Sequence, residues 1–90
     1  MQMGIIEWKM EANKLLNLIR IKGTLLSGEN FLIIQALEIL DIAQKNNGNP
    51  IPLIKFPDIN EKNEFIYFEI VFKSKEDLTK FIDEINRYFK

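Results

Sequence analysis

Phe65 and Tyr67 stand two residues apart in the run Glu64-Phe65-Ile66-Tyr67-Phe68-Glu69-Ile70-Val71-Phe72, a spacing that sends both rings to one side of an extended strand. Rings presented in this way can stack on the bases of a single-stranded nucleic acid. That chemistry also needs cations close by, and the same side carries Glu69. The competing reading is an apolar sheet face, completed by Val71, that is covered by the protein itself or by a second copy.

Oxygen-bearing side chains offer a second chemistry. Asp58, Asn60 and Glu69 stand at the first, third and twelfth positions of an EF-hand-like loop, where calcium ligands would lie. Lys62 occupies the fifth position and Asn63 the place of the required glycine, so a polar hairpin turn is the preferred reading. Glu7 and Glu69 would be able to act as paired carboxylates if their strands were neighbours, against the ordinary alternative of solvated charges. Lys9, Lys14, Arg20 and Lys22 form a basic cluster interrupted by Glu7 and Glu11. Trp8, the single tryptophan, is read as a core anchor before a partner anchor.

Composition narrows these options. The chain of 90 residues has no cysteine and no histidine, which removes disulfides, thiolate nucleophiles, imidazole bases and most transition-metal ligand sets. Its four glycines are scattered, so there is no Gly-rich phosphate loop; Gly23 and Gly28 flank a segment, Thr24-Leu25-Leu26-Ser27, that reads as a strand-to-helix connection. A formal net charge of -1 supplies no overall attraction to phosphate or anionic lipid. No apolar run approaches the roughly 20 residues of a membrane span, and the start has no basic-then-apolar leader pattern. A cytoplasmic location without membrane partners is expected. At 47% hydrophobic residues the chain has material for one dense core, and residues 1–90 read as a single domain.

Elements must hold these side chains in place. Leu78, Phe81, Ile82, Ile85 and Phe89 recur at helical spacing, with Ser74 as cap, which predicts a closing amphipathic helix. Before it, residues 64–73 alternate so that Ile66, Phe68, Ile70 and Phe72 form the core side of a strand. Residues 51–56, with Pro50, Pro52 and Pro57 around them, predict a short or edge strand. Upstream, a helix over about 31–46 is expected, capped by Ser27 or Asn30 and stopped at Asn47-Gly48-Asn49-Pro50. Its polar residues occupy one narrow stripe, so it should be buried on more than one side, and Ile34 becomes a candidate contact. The first twenty-odd residues are read as a hairpin, with a helical start as the alternative.

The segment from Asn63 to Asp77 and its following helix, about a third of the chain, is similar to the third strand and second helix of ferredoxin-like domains, RNA-recognition motifs and ACT domains among them. The resemblance implies a sheet with helices on one face. It departs from the RNA-recognition pattern at Asn63-Glu64, where a Gly-containing consensus is absent. Those families carry a further strand after the last helix, an edge that the N-terminal strand can fill.

The resulting expectation is an α+β fold, ordered ββαββα, with an antiparallel sheet of about four strands and two helices on one face as a ferredoxin-like variant. The expected function is a non-catalytic interaction or regulatory module, self-associating or bound to a protein partner through Phe65, Tyr67, Val71 and Ile34. No catalytic residue, metal or cofactor is expected. The alternatives are an RNA- or single-strand-binding domain and an ACT-like small-ligand sensor.

Overall fold

A computed structural model describes residues 5–51 and 65–89. The chain begins with strand β1 (Ile5–Asn13), which turns back through residues 14–17 into antiparallel strand β2 (Leu18–Ser27). The turn is fixed by its asparagines. The Asn13 side-chain oxygen accepts from the backbone N–H of Leu15 and Leu16, and Asn17 takes a left-handed φ of 52°, which Asn tolerates better than most residues. The expected hairpin is therefore present, and the helical start is not. Thr24-Leu25-Leu26-Ser27, expected as a connection, belongs to β2 because it continues the ladder; the chain leaves the sheet at Gly28, with φ 85°.

Helix α1 (Leu32–Lys45) follows, with the Asn30 side-chain oxygen accepting from the Leu32 N–H at 3.0 Å, whereas Ser27 lies in the preceding strand. At its far end the Asn46 amide donates to the Ile42 carbonyl, and Asn47 at φ 61° reverses the chain. Strand β3 (Gly48–Pro50) starts at once, earlier than the expected strand over 51–56. Of that stretch only Ile51 is described, outside the strand but with its N–H bonded to the Glu69 carbonyl at 2.9 Å; the rest, with the hairpin turn over 58–63, lies outside the described residues. Pro50 fits here because β3 is short and at an edge.

Strand β4 (Phe65–Phe72) and helix α2 (Lys75–Tyr88) complete the chain. Ser74 caps α2 by accepting from the Asp77 N–H at 3.1 Å, and Glu76 and Asp77 favour its positive end. The four strands form one antiparallel sheet in the order β1-β2-β4-β3. Its inner face, Ile19 and Ile21 of β2 with Ile66, Phe68, Ile70 and Phe72 of β4, packs against Leu32, Ala36, Ile39 and Ala43 of α1 and Leu78, Phe81 and Ile85 of α2. Ile82 is partly buried against this core. Phe89 departs from the expected core stripe: it lies past the end of α2 and packs on Trp8, at 6.1 Å between ring centroids, with 37% of its surface exposed.

Candidate interaction surfaces

The side of the sheet turned away from the helices is built by alternation. Odd residues of β1 and β4 and even residues of β2 point there, and the registers place them in rows across the strands. Glu7, Thr24 and Phe65 make one row, Lys9, Lys22 and Tyr67 the next, Glu11, Arg20 and Glu69 the third, and Asn13, Leu18 and Val71 the fourth. Phe65, Tyr67 and Val71 thus do share a face, each half-buried among its neighbours.

Charge on this face is balanced locally. The Arg20 guanidinium meets the Glu69 carboxylate at 3.0 Å, Lys9 reaches Glu7 at 3.5 Å, and the Lys22 ammonium lies 4.9 Å from the centre of the Phe65 ring. Exposed ion pairs of this kind contribute about 0–1 kcal/mol each, and the cation–π contact about 0.5–1 kcal/mol. Desolvation and then the neighbouring Glu69 carboxylate push the Tyr67 phenol above its usual pKa. A shallow groove over the sheet is lined by Lys9, Met10, Glu11, Arg20, Lys22 and Tyr67.

One sequence-based pairing does not form. Glu7 and Glu69 are separated by β2, with Glu7 opposite Thr24 and Glu69 opposite Arg20, so they are no carboxylate dyad. Of the calcium-like constellation, Asp58 and Asn60 lie outside the described residues, and Glu69 is committed to Arg20. Among the described residues no cluster of three or more acidic side chains is placed to hold a metal ion. The basic cluster is divided as well: Lys9, Arg20 and Lys22 sit on the open face among Glu7, Glu11 and Glu69, while Lys14 lies in the hairpin turn.

No protein-family model matches this sequence, and comparison with curated proteins finds no significant relative. Any functional reading therefore rests on the geometry.

The helix layer presents a different surface. On α1, Ile33, Ile34 and Leu37 keep 56%, 55% and 60% of their surface exposed, because Leu32, Ala36, Ile39 and Ala43 already fill the single side that meets the sheet. The expectation that α1 would be buried on more than one side is not met among the described residues. Ile34 is consequently on another surface from Phe65, Tyr67 and Val71, and the four candidate contacts do not form a single site.

Trp8 joins the layers in a way the sequence did not reveal. Its ring lies against Gly23, where an added Cβ would come within 2.5 Å, and its indole N–H donates to the Gln35 side-chain oxygen at 2.8 Å. A buried indole needs such an acceptor, but Gln35 is 27 positions away, and nothing local in the sequence announces it.

Proposed function

We propose that this chain is a small, non-catalytic interaction module that works by self-association. The observation that carries the reading is the outer side of α1, where Ile33, Ile34 and Leu37 leave more than half of their surface exposed on adjacent turns. Single exposed apolar residues are ordinary, whereas a contiguous set is the mark of a contact surface. The strand order supports treating the fold as a ferredoxin-like variant. In that fold the strand after the second helix lies at the edge beside the first strand, and here β1 occupies the corresponding edge beside β2.

Light scattering tests the proposal. The parent protein is expected at a mass above the 10.6 kDa of one chain in the micromolar range. A single-chain mass up to high micromolar concentration would end it. Tyr67→Lys provides a control on the open face: because Ile66 and Phe68 remain untouched in the core, the variant should stay folded, within about 1 kcal/mol of the parent in urea denaturation.

The contact of Lys22 with Phe65, and the adjacent row of Lys9, Lys22 and Tyr67, favour a second reading, binding of a single-stranded nucleic acid. Affinity for an oligonucleotide that falls steeply with added salt and is lost in Phe65→Ala would support it.

A further inference from the structure

β1 is the outer strand of the sheet, and among the described residues no strand pairs with its far side. Which of its backbone groups face outward follows from two hydrogen bonds. Ile51 donates to the Glu69 carbonyl on the β3 side of β4, and Phe72 donates to the Asn17 carbonyl on the β2 side. Alternation then turns the backbone of Phe68 and Ile70 toward β2, where they meet Ile21 and Ile19. Arg20, Lys22 and Thr24 must face β1 instead, engaging Glu11, Lys9 and Glu7. The N–H and C=O groups of Ile6, Trp8, Met10 and Ala12 are left pointing away from the sheet.

We infer that two copies of the chain join edge to edge through β1, antiparallel about a two-fold axis at Trp8, into one continuous sheet. This rests on the self-association proposed above and adds to the outer side of α1 a second contact between copies. In this register Trp8 faces Trp8 of the second copy, and Ile6 faces Met10, so outward-pointing backbone groups meet their like and can exchange ladder hydrogen bonds. Charge complementarity points to the same partner. Glu7, Lys9 and Glu11 alternate in sign along the edge, and the two-fold at Trp8 sets Glu7 opposite Lys9 of the second copy, and Lys9 opposite its Glu7. A register shifted to place the axis at Lys9 would put Lys9 on Lys9 and Glu7 on Glu11, both repulsive.

Lys9 gains most from this arrangement. Its neighbour across the β1–β2 ladder is Lys22, a like-charge pair that its own Glu7, at 3.5 Å, offsets in part, and the Glu7 of the second copy adds a further carboxylate. The axis also brings together the aromatic groups above the edge. Phe89 packs on Trp8, Tyr88 packs edge-on against Phe89 at 4.8 Å, and both remain substantially exposed in the single chain. Joining the edges leaves the open sheet face free, and the outer side of α1 stays available for contact between copies.

Charge exchange across the axis tests the inference. Lys9→Glu sets a second carboxylate against Glu7 at both symmetry-related positions and should weaken dimerisation about tenfold or more, measured by concentration-dependent light scattering, with an unchanged circular dichroism spectrum. Mixing Lys9→Glu chains with Glu7→Lys chains sets opposite charges at both positions of the Trp8-centred register and should recover the dimer, while the local Lys9–Glu7 pair stays broken within each chain. Glu11→Lys, facing Ile5 of the second copy, should leave the mass unchanged. A parent that is monomeric overturns both this inference and the self-association beneath it. A dimer that ignores Lys9→Glu overturns the β1 edge alone, and failure of the mixed single variants to recover the dimer overturns the register.

Discussion

Replacing Phe81 with Ala should lower the stability of the folded chain by about 3–5 kcal/mol. The side chain is fully buried in the helix layer, and its ring lies 5.1 Å from that of Phe72 on the sheet. Truncation removes apolar surface from the core and leaves a space that Leu78, Ile85 and the sheet can fill only in part. A domain of this size has about 5–15 kcal/mol in total, so the variant should be largely unfolded well below the melting temperature of the parent. Thermal denaturation followed by circular dichroism measures this directly. Coincident melting curves would mean that α2 does not dock on β4 as described.

Gly48→Ala should have the next largest effect, a loss of about 1–3 kcal/mol from a single methyl group. An added Cβ would lie 2.6 Å from the Phe72 ring, 2.9 Å from the Ala43 carbonyl oxygen and 2.9 Å from Ile70 Cγ2. Two of these are side chains of the buried core, and the third is a backbone atom held by the hydrogen bond from the Asn46 N–H. None can move aside without disturbing the end of α1 or the centre of the sheet. The expected readout is a lower urea midpoint with an unchanged denaturant slope. A midpoint equal to the parent's would show that β3 is not seated this closely against α1 and β4.

The same glycine shows where sequence reasoning reached its limit. The alternation in residues 65–72 and the helical spacing from Leu78 to Ile85 are strong local signals, and both elements formed where those signals placed them. The first hairpin was legible only as the preferred of two readings, since its apolar residues also fit a helical face, and what decides it is the turn built on Asn13 and on the left-handed Asn17. β3 was misplaced because its position is set by Asn47 reversing the chain and by Gly48 fitting between Ala43 and Phe72, neither of which has a periodic signature. Phe89 continues the helical spacing but falls beyond the last turn, so it meets Trp8 of β1 instead of β4.

For the candidate surfaces the boundary is similar. Alternation alone was enough to group Phe65, Tyr67 and Val71, since the period of a strand is local. Their cross-strand partners were not legible, because register joins Glu69 to Arg20 across a gap of 49 positions and keeps it apart from Glu7. Ile34 was grouped with them on apolarity, which carries no information about which layer of the fold a residue faces.

The alternating backbone of β1 gives that strand two speeds of hydrogen exchange. Amides of Glu7, Lys9 and Glu11 are tied into the ladder with β2, so they trade their protons only when the hairpin opens. Those of Ile6, Trp8 and Met10 face outward and exchange at close to the rate of an unstructured chain whenever β1 stands at a bare edge. Protection along a single strand therefore reads as a barcode of fast and slow residues, and its fast bars darken as soon as any second strand occupies the edge.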